Sequence, residues 1–169
     1  MKQKIPMACV RGGAVRILLA LMLGLLVVSG YVVAPILFAK AGSSHEAGRL
    51  AGEIFHVVNN GVVIIAVAVA AFWMRMESIS RRQWGVLLVV AALAAINEYG
   101  VSPIIMELKL AAGPIDQLAA DSPLKAQFGM WHGVSAVIHL LSSIVAAFLL
   151  LMGVHKRAGN GSKESCKES

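Results

Sequence analysis

The chain has 169 residues, 58% of them hydrophobic, with a mean hydropathy of +0.77 and a formal net charge of +6. So apolar a composition excludes most soluble domains and indicates several membrane spans in a single domain. The positive charge does not indicate nucleic acid as a partner, because the basic residues cluster beside apolar runs, where orientation signals belong.

Residues 1–16 form a basic head containing Lys2, Lys4, Arg11 and Arg16. The first apolar run, 17–39, is longer than the core of a secretion signal. It therefore reads as a retained span, although Ala39-Lys40-Ala41 loosely resembles a cleavage site. Pro35 lies near its end, where a kink costs least. A polar turn, Lys40 to Arg49, leads into the second run, 50–74. Gly48 and Gly52 form a GxxxG that would allow a neighbouring helix to approach closely.

Arg75, Arg81 and Arg82 mark the next connection, with Glu77 as its only acid. The third run, 84–106, opens on Trp84, an interfacial anchor, and has Asn97 and Glu98 deep inside it. Residues 107–127 form a mixed loop, broken by Pro114 and Pro123, with room for a short surface helix. The fourth run, 128–154, is followed by His155, Lys156 and Arg157 and then a Gly/Ser/Lys/Glu-rich tail, so 155–169 reads as a disordered cytoplasmic tail. No internal repeat is evident. Cys9 and Cys166 lie one near each terminus without metal-type spacing, and are expected as free thiols on the reducing side.

Each run has the length a helix needs to cross a bilayer. The expected fold is an all-α, four-span transmembrane helical bundle. Lys and Arg concentrate in the head, in the Arg75–Arg82 connection and in the tail, which predicts both termini inside, N-in/C-in.

Polar residues recur at helical spacing. Glu53, His56 and Asn60 share one face of the second span at i, i+3 and i+7, with Asn59 off the stripe. His132, Ser135, His139 and Ser142 form a stripe on the fourth span. Glu98 and Ser102 share a face of the third, with Asn97 beside them. Counting rise from the outer ends of the spans, these groups fall in the outer half of the bilayer.

An ionised carboxylate at mid-membrane costs roughly 2.5–3.5 kcal/mol on insertion scales, so Glu98 must face inward. Glu53, Asn60, Asn97, Glu98 and Ser135 are the expected polar interior, and His56, His132 and His139 are the candidate metal ligands. Three readings compete: hydrogen bonds that join helices, a proton-linked transport path, and a site for a metal ion or for haem b. The first would suit an accessory subunit of a larger membrane complex or a homo-oligomer, and the last an electron-transfer subunit. No CxxCH, HExxH, CxxC or phosphate-cradling loop occurs, and no enzymatic activity is expected.

The segments VVAPILFAKAGSSHEAGRLAGEIFHVVN, Asn97 with Pro103-Ile104-Ile105, and FGMWHGVSAVIHL resemble, in their order and spacing, the transmembrane protein 205-like family, whose bacterial members carry a domain of unknown function. The resemblance spans residues 17–152. It implies a four-helix domain in the bacterial inner membrane, with the lipid bilayer as its constant partner. Association of the eukaryotic relatives with tolerance of platinum drugs implies handling of a metal compound or small solute. Phe128, His132, Gly133 and Ser135 match the family's Phe-x-x-x-His-Gly-x-Ser segment, whereas His139 stands where the family has Asn.

Overall fold

The computed structural model of the protein describes residues 7–76, 79–119 and 121–155, apart from the side chains of residues 8, 116 and 153–155. Helix α1 runs through Met7–Val28, a π-helical turn at Ser29–Val33, and Ala34–Lys40. Helix α2 is the unbroken Ser44–Trp73. Helix α3 repeats the three-part build: Arg81–Ala95, a π-helical turn at Ile96–Val101, and Ser102–Ala112. Helix α4 is Pro123–His155. Among the described residues there are four helices long and apolar enough to cross a membrane, and no strand. The head's Lys2 and Lys4, Glu77, Cys166 and the tail from Lys156 onward lie outside the described residues.

The helices outrun the apolar runs, because hydropathy marks the hydrocarbon layer whereas capping marks the helix. Ser43 is extended and its hydroxyl accepts from the Glu46 N–H at 3.1 Å, so α2 starts at Ser44 rather than at Leu50. Ser80 and Gln83 form a reciprocal capping box that starts α3. At its far end Gly113 takes φ +65°, a conformation glycine adopts without a Cβ clash. The long third connection thereby shrinks to 113–122, and its only regular piece is a 3-10 turn at Ile115–Gln117.

The two π turns have a common cause. Pro35 and Pro103 lack an N–H, and each ring would clash with the preceding helical turn. Widening that turn removes the conflict: the Ala34 N–H donates to the Ser29 carbonyl, and the Ser102 N–H to the Asn97 carbonyl, each spanning five residues. Spans one and three are therefore built alike, a repeat that residue identities alone did not reveal.

At the end of the bundle that holds the 74–80 connection, here called proximal, the four helices close around a dry core. Leu19, Met22, Leu26, Val62, Val69, Val90 and Leu149 are almost fully buried there, and Trp73 meets Trp84 edge-to-face. Trp84 is thus partly a packing residue. Small residues at Ala66, Ala94 and Ala146 let the helices approach, as membrane packing requires. Cys9 is disulfide-bonded, which corrects the free-thiol expectation for that residue.

Beyond the π turns the packing changes. Ala34–Lys40 packs on α2 and Ser102–Ala112 packs on α4, while contact between these two pairs thins out. The pairs splay at the distal end, which carries the 41–43 and 113–122 connections. The GxxxG at Gly48 and Gly52 does not seat another backbone. Instead the Lys109 ammonium lies over it, donating to the Gly48 carbonyl at 3.0 Å.

Candidate functional site

Between the splayed pairs lies a cavity of about 760 Å³, lined from all four helices. Its deepest ionisable group is Glu98, on the π turn of α3. At 1.5 Å per residue, Glu98 lies roughly 20 Å along the helix from Ala112 and roughly 25 Å from Arg81, close to mid-membrane. The residue is only 6% exposed.

Two residues of α2 hold the carboxylate. The Asn59 amide donates to one oxygen at 3.2 Å, and His56 Nδ1 makes a close contact with the other. Glu98 is thus compensated by a hydrogen bond and an ionisable partner, the combination that makes a buried carboxylate tolerable. The two partners differ in setting. Asn59 is buried, whereas the His56 side chain is 63% exposed and borders the cavity. His56 therefore connects the buried carboxylate to the open space.

The other histidines do different work. His139, on α4, is 6% exposed and donates from Nε2 to the Leu26 carbonyl on α1 at 2.9 Å. Its ring occupies the space beside Gly30, where a Cβ would lie 2.5 Å from Nε2. A residue without a side chain is thus what lets α4 approach the π turn of α1. Phe55 meets the His139 ring edge-to-face with centroids 4.9 Å apart. His132, two turns nearer the distal end of α4, stacks on Phe128 at 5.8 Å and has Phe38 edge-on at 6.4 Å.

Glu53, His56, Asn97, Glu98, Ser102, His132, Ser135 and His139 all line the cavity, so stripes from three helices face one space. Asn60 does not line it. Its Oδ1 accepts from the Tyr99 hydroxyl at 2.7 Å, on an exposed face, and its amide donates to the His56 carbonyl at 2.8 Å. Asn59 takes the interior position. Spacing places Asn60 on the stripe with Glu53 and His56 and puts Asn59 on the other side of His56, so the partner of Glu98 is set by where α3 packs and not by the stripe.

His56, His132 and His139 border the same cavity but do not converge. Among the described residues no group of three or more His, Cys, Asp or Glu side chains is placed to hold a metal ion. Sequence reasoning missed Arg49 and Lys109, which supply positive charge at the mouth, and Tyr31, Phe38 and Phe55, which supply aromatic wall. Lys109 was visible as a cation at the end of an apolar run, but its direction depends on where α2 lies.

Chemically, the arrangement is an amphipathic cleft. The floor carries a buried carboxylate in contact with an exposed imidazole. The walls are aromatic and aliphatic. The mouth is charged by Arg49, Lys109 and Glu53.

Residues 17–114, more than half of the chain, match the family described as "Domain of unknown function (DUF4149)". No curated protein and no solved structure matches the chain.

Proposed function

The chain belongs to the DUF4149 family of unknown function, and on that premise we propose that it binds a small polar solute in the distal cavity and moves it in exchange with a proton at Glu98. One observation carries this reading: a mid-membrane carboxylate, buried and held by Asn59, is linked through exposed His56 to a 760 Å³ cavity. Helix-joining hydrogen bonds alone would favour a closed interior, whereas here polar groups from three helices border open space. The finer affiliation with transmembrane protein 205-like proteins rests on the ordered segments quoted above, and adds metal compounds to the solute classes worth testing.

The test uses proteoliposomes with a pH-sensitive dye inside and four solute classes added outside: organic cations, organic anions, neutral polyols and divalent metal ions. One class is expected to change the internal pH, and Glu98→Gln is expected to abolish that change. If no class moves protons beyond the rate of empty liposomes, the reading falls.

The charge distribution supports cytoplasmic ends, with the cavity opening outward in the bacterial inner membrane. The disulfide at Cys9 is the feature that argues the other way, since disulfides persist in oxidising compartments. The single-cysteine variant Cys166→Ser decides the matter. In intact spheroplasts its Cys9 is expected to resist an impermeant thiol reagent and to react once the membrane is opened. Labelling in intact spheroplasts would reverse the orientation.

A further inference from the structure

Two residues that line the cavity each carry a buried polar atom without a partner. Asn97 Oδ1 and His139 Nδ1 are both buried and make no hydrogen bond, and their residues, 3% and 6% exposed, both line the cavity. The character of each atom follows from its surroundings. The His139 Nε2 partner is a carbonyl, which only accepts, so Nε2 carries the proton and Nδ1 of the neutral ring presents a lone pair. The amide oxygen of Asn97 is likewise an acceptor. Buried acceptors left unmade are costly, and natural structures pair nearly all of them.

The residues that carry these acceptors line the same cavity as Glu98, so the floor brings lone pairs and a carboxylate to one region. An anionic group placed there would meet the carboxylate at mid-membrane, where screening is weak. The cations that could attract an anion, Arg49 and Lys109, belong to the mouth. Lys109 lies roughly 16 Å along α3 from Glu98 at helical rise. The walls above the floor carry Tyr31, Phe38 and Phe55, whose ring faces attract a cation in a desolvated site.

We infer that the cavity floor is a binding site for a protonated primary amine, whose N–H groups go to Asn97 Oδ1, His139 Nδ1 and Glu98. An ammonium head supplies three donors and one positive charge, which matches two neutral acceptors and a carboxylate. The apolar body of such a molecule lies against the aromatic wall. A quaternary ammonium has the charge but no donors. A neutral alcohol has a donor but no charge.

This assignment rests on the cavity being a solute site, as proposed above, and names the solute class. The experiment is isothermal titration of the full-length, detergent-purified protein with benzylammonium, benzyltrimethylammonium and benzoate. Benzylammonium is expected to bind saturably at one site. Benzyltrimethylammonium, which has no N–H donor for any of the three acceptors, is expected to bind at least about tenfold more weakly, and benzoate not at all.

Asn97→Leu is expected to weaken benzylammonium binding about tenfold and Asn97→Asp to strengthen it by a similar factor. Size exclusion and circular dichroism establish that each variant is folded. If Asn97→Leu is not, Asn97→Asp alone decides. Absence of saturable benzylammonium binding, equal binding of benzoate, or an unchanged affinity in Asn97→Asp would overturn the assignment. Failure here together with a Glu98-dependent proton signal from an anion or polyol would leave the transport reading standing. Amine binding without any proton signal would leave the site standing and remove transport.

Discussion

The proximal and distal halves of the bundle are made of the same four helices but are filled differently. In the proximal half the large buried side chains are Leu19, Met22, Val62, Val69, Val90 and Leu149, and the buried polar ones, Gln83, Ser142 and Ser143, are satisfied within their own helix or its cap. In the distal half the buried set includes Asn59, Asn97, Glu98 and His139, arranged beside open space. Each of the four helices contains an 18-residue stretch apolar enough to cross a membrane, so one hydropathy value per helix does not separate the halves. The division falls at the two π turns, Ser29–Val33 and Ile96–Val101, each ahead of a proline. Below them the four helices close on one another. Above them the helices run as two pairs, and the space between the pairs becomes the cavity. One backbone device, used twice, converts a packed bundle into a cleft.

The comparison is most severely tested in the dry half. Leu149 is fully buried, and Leu149→Ala is expected to cost about 2–5 kcal/mol, mostly through the void it leaves. Unfolding in mixed micelles measures this. Benzylammonium affinity of the folded fraction is expected to stay at the wild-type value. A large change in affinity with little loss of stability would show that the halves are not separable.

Next comes the junction between the halves. Gly30→Ala places a methyl group 2.5 Å from His139 Nε2, so the ring must leave the Leu26 carbonyl. Overpacking of this kind costs about 1–3 kcal/mol. Adding His139→Asn, a smaller ring-free side chain, is expected to recover most of that loss. If the double variant is as unstable as the sum of the single ones, the Gly30–His139 contact is not what joins α1 to α4.

Glu98→Gln reverses the balance of effects. The amide can still accept from Asn59, and a buried charge is removed, so stability is expected to change by about 1 kcal/mol or less. The proton signal is expected to disappear. Unfolding of the variant in the same micelles, set beside its liposome assay, checks both halves of that statement. A severe loss of stability would make Glu98 a structural residue of the distal half.

The smallest effect is expected at Tyr99→Phe. This breaks the hydrogen bond from Tyr99 to Asn60 on an exposed face outside the cavity. Interhelical hydrogen bonds in membranes average about 0.6 kcal/mol, and the expected loss is of that size, with ligand affinity unchanged. An altered affinity would move Asn60 back into the functional site.

The sequence by itself determined the class of fold and the residues that cannot face lipid. Four apolar runs of spanning length leave the chain no arrangement but helices across a bilayer, because unpaired backbone groups have no partner in hydrocarbon. The same rule made Glu98, His56 and His139 interior residues, since a polar group surrounded by lipid has nothing to exchange its hydration for. Capping serines at Ser43 and Ser80 were also there to be read, although hydropathy drew attention to later starting points.

What only the tertiary structure decided was which atoms meet. Asn59 rather than Asn60 holds Glu98, because α3 packs on the Asn59 side of His56 and not on the side that Asn60 shares with Glu53. Gly48 and Gly52 receive a lysine side chain rather than a helix, because the pairs diverge at that height. The two π turns were not legible either, since a proline announces a conflict in the helix but not how it is resolved. Periodicity gives each helix a face. The crossing of four such faces, and the space left where two pairs part, depends on packing over the whole chain.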